Sequence, residues 1–222
     1  MVEVQAERAS RLHLASRNAK KLEEMQRILE EHLPGVLVVG LDDVPAYDEP
    51  VEDEPTFAGN ALKKARTGAA ATGLPSLADD SGLCVDALNG MPGVLSARWS
   101  GPPRSDKQGA DQRNNELLLA QLADVPDERR TAHFVCAVAC VLPDGRELVV
   151  EGRMHGRVIR ELRGSGGFGY DVLFEADDHP GATTAELSVA DKDAISHRGR
   201  ALREIAPQLA TLLADHSHDH ES

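Results

Sequence analysis

The sequence predicts an α/β protein built on a mixed sheet, with two lobes and a cleft between them. Two observations carry this prediction. Between residues 11 and 75 short apolar runs alternate with stretches of helical period, and from Thr131 to Gly156 an alternating segment folds back at Pro143-Asp144-Gly145 as a long hairpin. With 222 residues, 41% of them hydrophobic and 27% charged, the chain has the make-up of a globular protein with a real core. A single domain is expected over residues 1–214, followed by a polar, disordered tail over 215–222.

Taken in order, "RLHL" is a short strand and "AKKLEEMQRILEEHL" a helix, because Leu22, Met25, Ile28, Leu29 and Leu33 recur at helical spacing. "GVLVVGL" (35–41) is a second strand, and the acidic, Pro-bearing stretch that follows has neither period. Thr56 is a candidate N-cap for an Ala-rich helix that ends near Gly73. "SLADD" and "LCVDAL" are expected as two short strands, residues 108–123 as a helix, and "TTAEL" as a short helical piece. A last helix follows Ser196, with Pro207 as an irregularity.

Composition excludes several functions. The net charge of −13, from 37 acidic against 24 Lys and Arg residues, disfavours nucleic acid as a partner. No apolar run approaches the roughly 20 residues needed to span a bilayer, and "MVEVQAERASR" lacks a secretory pattern, so no membrane is expected and the location should be cytoplasmic. Three cysteines fit a reducing compartment. Cys136 and Cys140, four apart on a strand, lie about 13 Å apart, too far for a disulfide, and are read as core. The tail histidines His216, His218 and His220 are assigned no physiological metal site.

Four stretches can carry chemistry. In "ASRNAKK" a strand end feeds a helix through Ser16, Asn18, Lys20 and Lys21, so backbone N–H groups, the helix dipole and two ammonium groups converge as a phosphate cradle; Ser16 or Asn18 would equally cap the helix. In "ADDSG" two adjacent acids on an extended segment must point to opposite sides, one to the site and the other to a structural partner. Near the acids Glu49, Glu52, Asp53 and Glu54 they suit a hard divalent cation; an Asx turn before Gly82 is the plainer reading. In "SGGFGYDVLF" glycines allow close approach to a ligand, and Phe168 and Tyr170 are notable in a chain with only four Phe, two Tyr and one Trp. Their rings can stack on a base and Asp171 can accept a base N–H, although a tight turn around a core aromatic has the same pattern. In "KDAISHRGR" Ser196 is an N-cap, yet His197, Arg198 and Arg200 crowd a first helical turn that prefers anions, with Lys192 nearby. A phosphate or an electronegative base edge would suit this turn; cations that are solvated or paired with the acidic surface are the plainer reading.

Together "LASRNAKK", "TFAGNALKKA", "ADDSGLCVDALNGMPGVLSARWSG", "GGFGYDVLF" and "KDAISHRGRAL" resemble, in order and from Leu12 to about Leu213, the family of non-canonical purine nucleoside triphosphate pyrophosphatases. The resemblance implies an elongated central sheet flanked by helices, and cleavage of ITP, dITP and XTP to the monophosphate and pyrophosphate with Mg²⁺ as cofactor. It implies Asp80 as catalytic proton acceptor and metal ligand, Glu52 as second metal ligand with Glu54 as an alternative, and a homodimer. Substrate contacts are implied for Ser16, Arg17, Asn18, Ala19, Lys20 and Lys21, for Lys64 and Ser81, and for Phe168, Gly169, Tyr170, Asp171, Lys192, His197 and Arg198. Two residues depart from the family pattern: Gly59 stands where Glu is common, and Val172 where Pro is usual. A pyrophosphatase for other modified nucleotides, or a nucleotide-binding module without turnover, are the rival readings.

Overall fold

The computed structural model describes residues 11–17, 19–101 and 107–219. Among these residues six strands, β1 (Arg11–Leu14), β2 (Leu37–Val39), β3 (Ser76–Val85), β4 (Thr131–Val141), β5 (Glu147–Val158) and β6 (Phe174–Ala176), form one sheet in the order β2-β1-β3-β4-β5-β6. β1 runs parallel to β2 and β3, and β3 through β6 are antiparallel, so the sheet is mixed, as predicted.

Among the described residues, five α-helices cover it: α1 (Ala19–His32), α2 (Phe57–Thr72), α3 (Lys107–Gln121), α4 (Val189–Ile195) and α5 (His197–Asp219). On one face Met25, Ile28 and Leu29 of α1 and Leu202, Ile205 and Leu209 of α5 pack over Leu12, Leu14, Leu77, Cys136 and Val138. Farther along that face a separate core joins Leu83, Phe134 and Met154 to Leu118 and Leu122 of α3 and to Leu173 and Phe174. Residues on β3 alternate sides, so Asp79 and Ser81 fall on this face between the two cores. α2 covers the opposite face, Ala61, Ala65 and Ala69 lying against Ala78, Ala137 and Ala139. Small side chains on both surfaces bring that helix close: a Cβ on Gly68 would sit 2.3 Å from Ser76 Oγ.

Local signals placed the helix ends well. Thr56 Oγ1 accepts the Gly59 N–H at 3.0 Å, and Gly73 closes α2 in the left-handed region at φ 67°. Cys136 and Cys140 are buried free thiols, and burial pushes Cys140 up to about 12.

Two expectations are corrected. "SLADDSGLCV" is one ten-residue strand, because pairing with β4 runs unbroken from Ser76↔Val141 to Val85↔Ala132 and overrides Gly82. Residues 184–186 form a turn after the Glu175–Thr183 bridge; the short helix comes later, at Val189–Ile195. α5 passes through Pro207 and runs to Asp219, and residues 220–222 lie outside the described set. Among the described residues no helix is long and apolar enough to cross a membrane.

Candidate active site

The fold creates a crevice where β1 stops. β1 pairs with β3 only at Ser76 and Leu77; beyond this the chain turns away at Ala15 and enters α1 on one face, while α2 lies on the other. A crevice outside the carboxyl end of a strand whose flanking helices lie on opposite faces is the usual ligand position in such sheets. Asp79 and Asp80 sit on β3 at this point, one to each face.

Asp79, 2% exposed, receives Lys21 Nζ on both carboxylate oxygens, at 3.0 and 2.9 Å, and Arg198 Nε and Nη2 at 3.3 Å. Burial alone would raise its pKa, but Lys21, Arg198 and Lys64 outweigh burial and hold it well below the usual carboxylate range. Arg198 Nη2 also lies 3.4 Å from Ser81 Oγ.

Asp80 differs. Its Oδ2 accepts from Asn60 Nδ2 at 2.9 Å, and its Oδ1 lies 3.8 Å from Lys64 Nζ. Burial raises its pKa; Lys64 and Asn60 oppose this, Glu52 and Asp79 add to it, and the net shift is upward. Of the two acids left open in the loop, Glu52 is the one beside Lys64, with Oε1 2.7 Å from Nζ. Burial would raise Glu52 too, but Lys64, Lys21 and Arg98 bring it down. Glu54 instead packs over Gly59, where a Cβ would come within 2.9 Å of Glu54 Cβ, so the missing Glu at position 59 leaves space that Glu54 occupies. Two carboxylates with an ammonium already between them form an oxygen-only donor pair that fits a hard divalent cation arriving with phosphate ligands. No complete cage of three or more His, Cys, Asp or Glu side chains occurs among the described residues.

A cavity of about 490 Å³ opens next to Ser81, lined by Phe168, Lys192, His197 and Arg198 among others. Phe168 is 46% exposed, with Lys192 Nζ 5.4 Å from its ring centroid. His197 is buried, stacked on Phe134 with centroids 4.9 Å apart; burial, then Arg198 and Lys192, push its pKa far below the ordinary histidine value, so it is neutral. Close approach of α5 to the sheet depends on Gly152, whose Cβ would lie 2.1 Å from His197 O.

Gly169, Tyr170 and Asp171 line the same cavity and make further contacts that shape its wall. Tyr170 is buried and donates its hydroxyl to Ser96 O at 2.9 Å, anchoring the loop. Gly169 donates its N–H to Asp111 Oδ2 at 2.8 Å. Asp171 turns its carboxylate inward, accepting from Thr184 Oγ1 and the Phe168 N–H at 2.8 Å and from Lys192 Nζ. These contacts hold the loop at the wall of the cavity, which Asp171 also lines. Arg17 pairs with Glu49 at the surface, and Ser16 is half-buried at the crevice. Asn18 and the side chains of Ala19 and Lys20 lie outside the described residues. Val172 is half-buried within a 3-10 turn, Asp171–Leu173. Two residues escaped the sequence reading: Arg98, which holds Glu52 O at 2.8 Å and approaches its carboxylate at 3.6 Å, and the buried Asn60.

Fold and site together define an α/β protein with a cation-lined crevice beside an aromatic-rimmed cavity. A family model for the Ham1 family matches residues 12–208, and the chain belongs to that family. A dITP/XTP pyrophosphatase of Nocardia farcinica is 61% identical over 204 residues, covering 91% of this chain and 96% of that protein. One of Mycolicibacterium paratuberculosis is 58% identical, covering 91% and 97%. Among solved structures, the nucleoside-triphosphatase / dITP/XTP pyrophosphatase of Mycobacterium abscessus is 54% identical with TM-score 0.73, covering 89% of this chain and 99% of that one. The Ham1 protein of Staphylococcus aureus is 34% identical with TM-score 0.79, covering 91% and 99%.

Proposed function

We propose that this chain hydrolyses dITP, ITP and XTP between the α and β phosphates, releasing monophosphate and pyrophosphate and clearing deaminated purines from the nucleotide pool. The observation that carries the reading is the split fate of the two adjacent acids: Asp79 is locked between Lys21 and Arg198, while Asp80 keeps a raised proton affinity beside Lys64.

Phosphoryl chemistry of this kind is mostly positioning and charge stabilisation. Lys21, Lys64 and Arg198 supply positive charge along the crevice, and Asp79 fixes the directions of Lys21 and Arg198 without itself acting as a base, since its proton affinity is too low. Asp80 takes the proton of the attacking water at Oδ1, and its upward shift makes it the better base of the two. Mg²⁺, when bound by Asp80 and Glu52, supplies further neutralisation of the phosphate oxygens. The base enters the cavity against Phe168, where Lys192 offers a donor to a 6-keto oxygen. Adenine presents a 6-amino donor at that position, and a donor facing a donor is heavily penalised. The cell compartment is the cytoplasm and the working unit a homodimer.

The test is pyrophosphate release from dITP, XTP, dATP and dGTP with and without Mg²⁺. Turnover confined to dITP and XTP, and dependent on the metal, is expected; equal rates with dATP and dGTP would refute the sanitation role, and binding without release would make the chain a binding module.

A further inference from the structure

We infer that Asn60 is a positioning residue for hydrolysis, selecting which oxygen of Asp80 faces the reacting water. The inference rests on Asp80 being the proton acceptor.

Asn60 is fully buried in the first turn of α2. Its Oδ1 accepts the Glu54 N–H at 3.0 Å and its Nδ2 donates to Asp80 Oδ2 at 2.9 Å. The orientation is dictated by chemistry: a flipped amide would set oxygen against carboxylate and NH₂ against N–H. Two consequences follow. Asp80 Oδ2 is occupied, so Oδ1, the oxygen 3.8 Å from Lys64 Nζ, is the one presented to the site. The same amide also ties the backbone two residues beyond Glu52 to the strand that carries Asp80, so the two acids are held in register by one side chain. A carboxylate freed from this contact would rotate, and proton transfer depends on its lone-pair direction.

The experiment compares wild type, Asn60→Ala, Asn60→Asp and Asp80→Asn for kcat and KM with dITP, for equilibrium binding of the α,β-methylene analogue of dITP, and for thermal unfolding. Both Asn60 variants should lose kcat on the order of 10- to 100-fold, the scale of one hydrogen bond to a charged group. Analogue binding should stay within about threefold, since triphosphate contacts persist. Unchanged kcat in Asn60→Ala overturns the inference; so does a parallel loss of kcat and binding, or absence of a cooperative melt in both variants, each of which marks a merely structural side chain. If Asp80→Asn turns over like wild type, the proton-acceptor reading itself fails; if it is inactive while the Asn60 variants are not, only the inference about Asn60 falls.

Discussion

Lys21 spans both carboxylate oxygens of Asp79, at 3.0 and 2.9 Å, joining the start of α1 to the middle of β3 across 58 positions of sequence. With Arg198 from α5 on the same carboxylate, three distant segments meet at one buried charge. Removing that carboxylate leaves two cations facing each other in a dry site. Asp79→Asn should therefore cost about 3–5 kcal/mol, the penalty of breaking a buried pair, read by urea unfolding at neutral pH.

The neighbour should behave in the opposite way. Asp80 has a raised folded-state pKa, so its contribution to stability is favourable at low pH and is lost as pH rises through the folded value; ionised at neutral pH, it is a cost to the fold. Asp80→Asn should melt at or above the wild-type temperature at neutral pH while Asp79→Asn melts below it. A clear drop in both would contradict the assignment of structural and chemical roles.

Acid unfolding follows from the same two groups with the sign worked through. Asp79 has a depressed folded pKa, so its stabilisation is complete above the unfolded value near 3.8 and disappears as pH falls through the lower folded value. His197 is held neutral, so the chain also loses stability as pH falls below 6.5, where the unfolded state takes up a proton first. Stability measured by urea should decline first as pH falls below 6.5 and again only as pH falls below about 3.8, and His197→Phe should remove the first decline.

The rim of the cavity gives a binding prediction. Phe168→Ala removes an exposed ring that a base can stack on, a contact worth about 1–3 kcal/mol per base. KM for dITP should rise roughly 5- to 100-fold with the melting temperature unchanged. Tyr170→Phe should do the reverse, lowering stability by about 1 kcal/mol through loss of the Ser96 O contact and leaving KM alone.

Gly167 tests the loop beneath. It sits at φ 70°, and a Cβ would lie 2.1 Å from Asp171 Oδ2 and 3.0 Å from Lys192 Nζ. Gly167→Ala should displace both, raising KM at least several-fold in steady-state assays with a stability cost of about 1–2 kcal/mol.

Period-two alternation foretold that Asp79 and Asp80 must face opposite sides, and Thr56 and Gly73 announced the ends of α2. What the chain could not announce locally was tertiary. Asn60 carries no pattern of its own; its meaning comes from residues 54 and 80, which the fold brings to it. Arg98 was likewise silent until the loop bearing Glu52 folded over it. Tyr170 and Asp171 line the cavity as well, and their ties to Ser96 and Thr184 are tertiary contacts that no local pattern announces. The two short strands around Gly82 became one because ten successive pairs with β4 outweigh the propensity of one glycine.

The most direct measurement is pyrophosphate release from dITP by Asp80→Asn beside binding of the α,β-methylene analogue. The account predicts kcat at least about a thousandfold below wild type with the analogue still bound, the scale expected for a lost general base that orders the attacking water. An Asp80→Asn enzyme retaining a tenth or more of wild-type turnover would contradict it.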